Sequence, residues 1–444
     1  MSPQSTSEPS DVVVIGGGPG GSTIATLLAK KGWRVTLLEK DRHPRFHIGE
    51  SLLPMNLPLL ERLGVLDQVR EIGVQKNGAE FASYQDADKC ETIYFADALD
   101  KSHPYAFQVE RAGFDKLLFD NAGAQGVTAR EGVRVIDVAL REDATKRATV
   151  VNENGARETL ETRFIVDASG RDTFLSRKLN FKEKNSRHQS AAIFGHFKNV
   201  ARRPGKDEGN IGIYWFEHGW FWMIPLRDDV MSVGAVCWPE YLKTRDGDLE
   251  TFLRQTIERC PPVSRRMQDA EPCAPARATG NYSYCARHMY GDGYLLVGDA
   301  FAFIDPVFST GVYLAMNSAS LGAEAVDTCL RAPESAPAAL QQFEREVRCG
   351  IKIVSWFIYR FTTPVMHSLF MNPRNFFRIK EAIISMLAGD IFRATPVTLR
   401  LALFKTIYLI SSAAHLPQSW AAFRKRRRNA ALEFTGGTTS QDYV

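Results

Sequence analysis

The chain has 444 residues, is 44% hydrophobic and 24% charged, and carries 55 basic against 51 acidic side chains, a formal net charge of +4. That length holds two or three domains with sizeable cores, and so small a positive surplus excludes the electrostatic footprint of a nucleic-acid binder. The seven cysteines are odd in number, scattered and never spaced C-x-x-C, which excludes a disulfide framework and a zinc site and fits a reducing compartment.

Residues 1–10 are polar without an apolar core, unlike a secretory signal, and no uninterrupted apolar run reaches the ~18 residues of a membrane span. A soluble, cytoplasmic protein is expected. An apolar run of strand length, 11–15, then enters Gly16-Gly17-Gly18-Pro19-Gly20-Gly21. A helical pattern follows over 22–31, and a second apolar run, 35–38, ends on Glu39. Gly16, Gly18 and Gly21 fit G-x-G-x-x-G, with Glu39 where a ribose-binding carboxylate belongs, about 20 residues on. Gly16 lets the strand turn sharply, Gly18 lets backbone N–H groups touch a pyrophosphate, and Gly21 lets the helix sit close to the strand. The helix N-terminus then presents its partial positive charge to the phosphates. The first forty residues therefore predict a dinucleotide site.

Residues 41–51 read as a loop into a helix beginning near Leu52-Leu53-Pro54, with Glu50 and Ser51 in the place of capping residues. The spacing predicts an amphipathic helix over 57–69, a loop entering a strand over 73–81, and short strands up to 107. A helix over 111–123 and a strand over 133–138 follow. A second buried strand ends in Asp167-Ala168-Ser169-Gly170. Residues 186–245 are strand-rich, with turns at 203–205 and 227–229, and 248–259 is helical. A third buried strand ends in Gly298-Asp299, and 308–331 alternates small and apolar residues at helical spacing. The last hundred residues are nearly all helical in pattern. Within them 351–371 and 399–410 are strongly apolar, and Arg424-Lys425-Arg426-Arg427-Arg428 reads first as a solvated helix end and second as a membrane-surface patch. A Gly-Thr-Ser-rich stretch covers 435–440.

This order predicts an α/β fold, α+β overall: a Rossmann-like dinucleotide domain (8–80, 105–180 and 285–345), an inserted antiparallel β-sheet substrate domain (81–104 and 181–284) and a C-terminal helical region (346–444). Three strand ends, at 16–21, 167–170 and 298–299, converge where ligands of open α/β sheets sit. Asp299 there suits a ribose or ribityl hydroxyl, or the cap of the following helix.

The fingerprint, the late Gly298-Asp299 and the order of segments resemble the FAD-dependent monooxygenase superfamily, whose Gly-Asp motif contacts the flavin ribityl chain. The resemblance covers roughly residues 10–345 and implies FAD. A narrower one lies within it. Trp220-Phe221-Trp222-Met223-Ile224-Pro225 is a complete W-x-W-x-I-P, and Phe303 to Gly311 fits F-x-x-P-x-x-S-x-G. With Phe46-His47-Ile48-Gly49-Glu50-Ser51 and Lys76-x-Gly78, these look like hallmarks of flavin-dependent halogenases. That resemblance implies reduced FAD, O2 and chloride or bromide, yielding hypohalous acid that halogenates an electron-rich indole, phenol or pyrrole.

It also implies roles. Backbone N–H groups of Ser309, Thr310 and Gly311 would hold the halide, while Trp220 and Trp222, with Ile224 and Pro225, keep the organic substrate from the flavin. Lys76 would orient hypohalous acid as an ammonium or form an N-haloamine. Gly16, Gly18, Pro19, Gly21, Glu39, Lys40, Gly49, Glu50, Ser51, Arg111, Asp299, Gly311 and Val312 would line the FAD, and Val135 would meet the adenine through its backbone. No metal is implied. Glu344 and Glu346 read as surface-helix residues. A separate reductase would supply FADH2, since only one fingerprint is present, and the aromatic substrate would arrive free or carrier-bound. The alternatives are an aromatic monooxygenase without halide chemistry and a non-catalytic FAD-binding or membrane-associated protein.

Overall fold

A computed structural model describes residues 9–140, 145–280, 283–392 and 397–432; the stretch 435–440 and residues 1–8 lie outside them. Strand β1 (Ser10–Ile15) is the hub. Its residues Val12 to Val14 are fully buried, as in a parallel-sheet strand packed on both faces. It pairs in parallel with β2 (Val35–Leu38) on one side and Arg157–Asp167 on the other. Arg157–Asp167 in turn pairs in parallel with Tyr294–Leu296, and β2 with Thr128–Arg130. In this register Ile15, Asp167 and Leu296 stand side by side, so the three polar strand ends meet at one edge, as expected. Between β1 and β2 runs helix α1 (Pro19–Lys30). It packs against the long helix Thr310–Arg331, where Gly20 approaches the Ala315 carbonyl.

The second sheet runs in the order Glu271–Pro272, Ala191–Lys198, Met231–Cys237, Gly219–Pro225, Ile211–Phe216, Gly78–Ser83, Asp86–Tyr94. It is antiparallel apart from the parallel pair Ile211–Phe216 with Gly78–Ser83, a departure from the all-antiparallel expectation. The cause is connectivity: Gly78–Ser83 arrives from far upstream and fills the open edge in the direction its entry allows. It also straddles the boundary expected at residue 80. Alternation along Gly219–Pro225 sends Trp220, Trp222 and Ile224 to one core, shared with the C-terminal helices, and Phe221 and Met223 to another, shared with Leu249–Glu258. Both faces of this sheet are buried.

Two local readings change. The helix expected over 57–69 is broken at Gly64, which takes the left-handed conformation (φ +82°) and separates Leu57–Leu63 from Leu66–Ile72. Glu50 and Ser51 cap no helix, because their side chains bond to partners far along the chain, His196 and Lys76. All seven cysteines are free thiols.

Candidate active site

The glycine turn explains itself by close approach. A Cβ on Gly21 would lie 1.8 Å from the Gly16 carbonyl oxygen, and one on Gly16 (φ +101°) 2.4 Å from that of Ala168. Gly18 differs: its Cβ would meet nothing nearer than an Arg45 nitrogen at 3.6 Å, so the packing of the protein leaves the cradle in front of it open. Pro19 occupies the first helical turn behind. Glu39 is buried at the end of β2, accepting the N–H groups of Gly17 (2.8 Å) and Asp41 (3.0 Å) and so bracing the turn. Lys40 pairs with Asp172 at 2.7 Å. Val135 lies on Val133–Ala139, a strand that starts beside Glu39 through the Val133 N–H.

Sequence reasoning missed Arg45. It bridges Glu39 and Asp115, each at 3.3 Å, and its buried Nε has no acceptor among the described residues. Its only signal was a basic residue shortly after Glu39. Arg111 is buried too, forked onto Asp115 (2.7 and 2.9 Å) and donating to the Ile48 carbonyl, 2.6 Å away. Asp115 stays well below the usual carboxylate range: burial opposes its charge, and the Arg111 guanidinium outweighs burial. Gly49 (φ +100°) sits against Arg111 and Val312.

Asp299 lies in the short helical turn Gly298–Ala300 and does not cap the helix that follows. Its carboxylate makes no hydrogen bond to the described protein, and burial raises its pKa to about 6 against the pull of Arg171 and Arg111. Asp167 instead accepts the Ser169 and Leu175 N–H groups and is structural.

Ser309 adopts φ +56° as the residue before Thr310–Arg331. Its N–H is taken by the Pro306 carbonyl at 2.9 Å, which removes one of the three donors expected for an anion. The N–H groups of Thr310, Gly311 and Val312 have no acceptor among the described residues and carry the positive end of a 22-residue helix dipole. A buried cluster absent from the sequence reading secures this loop. Asp305 accepts from the Val307 N–H (3.1 Å) and from Ser190 (3.0 Å) and pairs with His188 (2.8 Å).

Lys76 ends the strand Val74–Lys76 and is 1% exposed. Its ammonium donates to Ser51 Oγ (2.9 Å) and the Leu52 carbonyl (3.1 Å) and lies 5.2 Å from the Phe95 ring centre. With no carboxylate beside it among the described residues, burial lowers its pKa to about 7. The segment 49–52 thus joins Lys76 to the Thr310–Arg331 helix, through Ser51 at one end and Gly49 against Val312 at the other. Trp220 and Trp222, ring centres 6.0 Å apart, belong to the core that also contains Leu53, Val307 and Phe308. Trp222 donates to Ser232 (3.1 Å). Among the described residues, Glu344 and Glu346 bond to Arg348 and Gln342 on their own helix.

Glu50, expected along the cofactor, ties the loop before Ser51 to the second sheet by pairing with His196 at 2.7 Å. Burial opposes the charge on His196, but the Glu50 hydrogen bond and attraction outweigh it and hold the imidazole above its usual range. A raised native pKa stabilises the fold fully below about pH 6.5, the unfolded value, and that stability is lost as pH rises through the native value. The melting-temperature gap between wild type and His196→Gln should therefore narrow as pH is raised from about 5 to about 9; a constant gap would assign the pair no titratable role.

The open cradle at Gly18, the orphaned Arg45 Nε, the unpartnered Asp299 and the free helix N–H groups together fit FAD. The FAD binding domain family matches residues 9–346. The chain is 29% identical over 411 residues to the 1H-pyrrole-2-carbonyl (peptidyl-carrier protein) chlorinase of Pseudomonas fluorescens, covering 86% of this chain and 89% of that one. The solved structure of the myxobacterial chondrochloren halogenase CndH, a variant of FAD-dependent halogenases, is 36% identical with a TM-score of 0.76, covering 88% of this chain and 92% of that one. A flavoprotein/dehydrogenase from Cytophaga hutchinsonii superposes with a TM-score of 0.84 at 31% identity, covering 92% of this chain and all of that one. Of three longer halogenases the chain spans 64% to 65%.

Proposed function

The chain belongs to the flavin-dependent halogenases, oxidoreductases that use FAD and a halide, and from that premise we propose that it halogenates an electron-rich aromatic through hypohalous acid oriented by Lys76. The observation that carries the finer reading is Lys76 itself: a nearly fully buried ammonium with two acceptors, no counter-ion and a third N–H to offer. When bound and reduced, FAD supplies electrons to dioxygen, the chemistry that oxidises a halide.

The protein's own residues do the rest. Thr310, Gly311 and Val312 hold the halide or the flavin edge through N–H groups already aligned by the helix. Asp305, fixed by His188 and Ser190, keeps the loop before them in place. Trp220 and Trp222 wall the aromatic substrate off from the flavin side, so oxidising equivalents reach it as a small diffusible acid. Glu39, Arg45 and Gly18 bind the adenosine and pyrophosphate end, with Lys40 and Val135 flanking it, and Asp299 takes the ribityl hydroxyls. The substrate is an indole, phenol or pyrrole, free or tethered to a carrier protein, and a separate reductase in the cytoplasm delivers FADH2.

The test is product mass. Holoenzyme supplied with a flavin reductase, O2, bromide or chloride and a panel of indoles, phenols and carrier-bound pyrroles should yield products with the halogen isotope pattern. Oxygenated products without halogen from every substrate would replace this reading with that of an aromatic monooxygenase.

A further inference from the structure

Eight of the nine large apolar side chains exposed among the described residues fall between Phe376 and Phe423. Six of the eight, Leu399 to Phe423, lie on a helical hairpin, Val397–Ala414 followed by Leu416–Ala431. Outward positions 399, 402, 406, 409, 410 and 413 of the first helix hold Leu, Ala, Thr, Leu, Ile and Ala, a helical spacing without one charge. Leu399 is 78% exposed and Ile410 65%. The face continues onto the second helix through Leu416 and Trp420, whose ring stacks on Phe423. The inner face, Val397, Leu401, Phe404 and Tyr408, lies in the same core as Trp220 and Phe308. Val397–Ala414 is long and apolar enough to cross a membrane by length and composition. With its inner side committed to the protein core, it can only lie along a surface.

Charge decides which surface. From 397 to 431 there is no Asp or Glu and there are seven Lys and Arg. Lys425, Arg426 and Arg428 reach back to Glu217, Tyr359 and Glu240. Arg424 and Arg427 stand exposed beside the aromatic pair. An uncharged apolar face about 21 Å long, a Trp at its margin and cations with no interspersed acid match the boundary between acyl chains and anionic headgroups. A protein partner would call for polar groups around the apolar patch to set register. We propose that this hairpin docks the enzyme on an anionic phospholipid surface, with Leu399, Leu409 and Ile410 in the acyl boundary and Arg424 and Arg427 among the phosphates.

Flotation of the full-length holoprotein with vesicles tests this. Binding to phosphatidylcholine mixed with phosphatidylglycerol should exceed binding to phosphatidylcholine alone by about tenfold or more and weaken as salt is added. Leu409→Glu/Ile410→Glu and Arg424→Glu/Arg427→Glu should each lower it by about tenfold or more, with flavin absorbance and turnover of a soluble aromatic unchanged. Three results would overturn the proposal: no flotation with either vesicle, flotation indifferent to both variants, or a dimer in light scattering that Leu409→Glu/Ile410→Glu splits. Capture of an acidic carrier protein without vesicle binding would do the same.

Discussion

Lys76→Met is expected to lower kcat for halogenation by about two to four orders of magnitude, the range lost when a positioned proton donor is removed, while FAD content and flavin reoxidation stay at wild-type levels. Methionine keeps the unbranched volume of the buried stem, so the effect reports the ammonium. The pH profile carries the same information. Burial brings Lys76 to about 7, so if the ammonium orients hypohalous acid, kcat falls as pH rises through that value; a rate that climbs instead would point to the free amine and an N-haloamine. Stability responds with its own sign. The unfolded chain holds this proton up to about pH 10.4 and the folded protein releases it near 7, so wild-type stability rises with pH between the two. Lys76→Met should lack that slope. Full halogenation in Lys76→Met would remove the lysine from the reaction, and a joint loss of FAD and fold would make it structural.

Gly18→Val and Gly21→Ala should part company. The Gly18 cradle faces open space, so Gly18→Val is expected to fold and melt near wild type yet lose about 100-fold in FAD affinity, the equivalent of two charge-assisted hydrogen bonds of about 1.5 kcal/mol each. Gly21→Ala drives a methyl to 1.8 Å from the Gly16 carbonyl oxygen, a backbone clash no side-chain movement relieves, and should fail to fold. Far-UV circular dichroism with an FAD titration separates the two. Undiminished FAD affinity in Gly18→Val would place the pyrophosphate elsewhere.

The glycine turn and the tryptophan strand were legible because each is a local constraint written in consecutive residues. Gly16 must take a positive φ, Gly21 must lack a side chain, and Trp220 and Trp222 fall on one face by the two-residue period of a strand. Arg45, His196 and the His188–Asp305 pair were illegible, because their meaning resides in partners up to 146 residues away. Ser309 was legible in kind and wrong in detail: the motif marks the turn, but only the turn's own hydrogen bond reveals that the Ser309 N–H is occupied.

By itself, the sequence determined the dinucleotide cradle, the family's motifs and the order of sheet, insert and helices, since these depend on backbone conformation and periodicity over a few residues. Tertiary structure alone decided that Lys76 is stripped of water and counter-ion, that Glu50 joins its loop to the second sheet, and that the apolar side of Val397–Ala414 divides into one buried and one bare face. Desolvation and exposure are properties of what packs around a residue, and that depends on chain segments brought together only by folding.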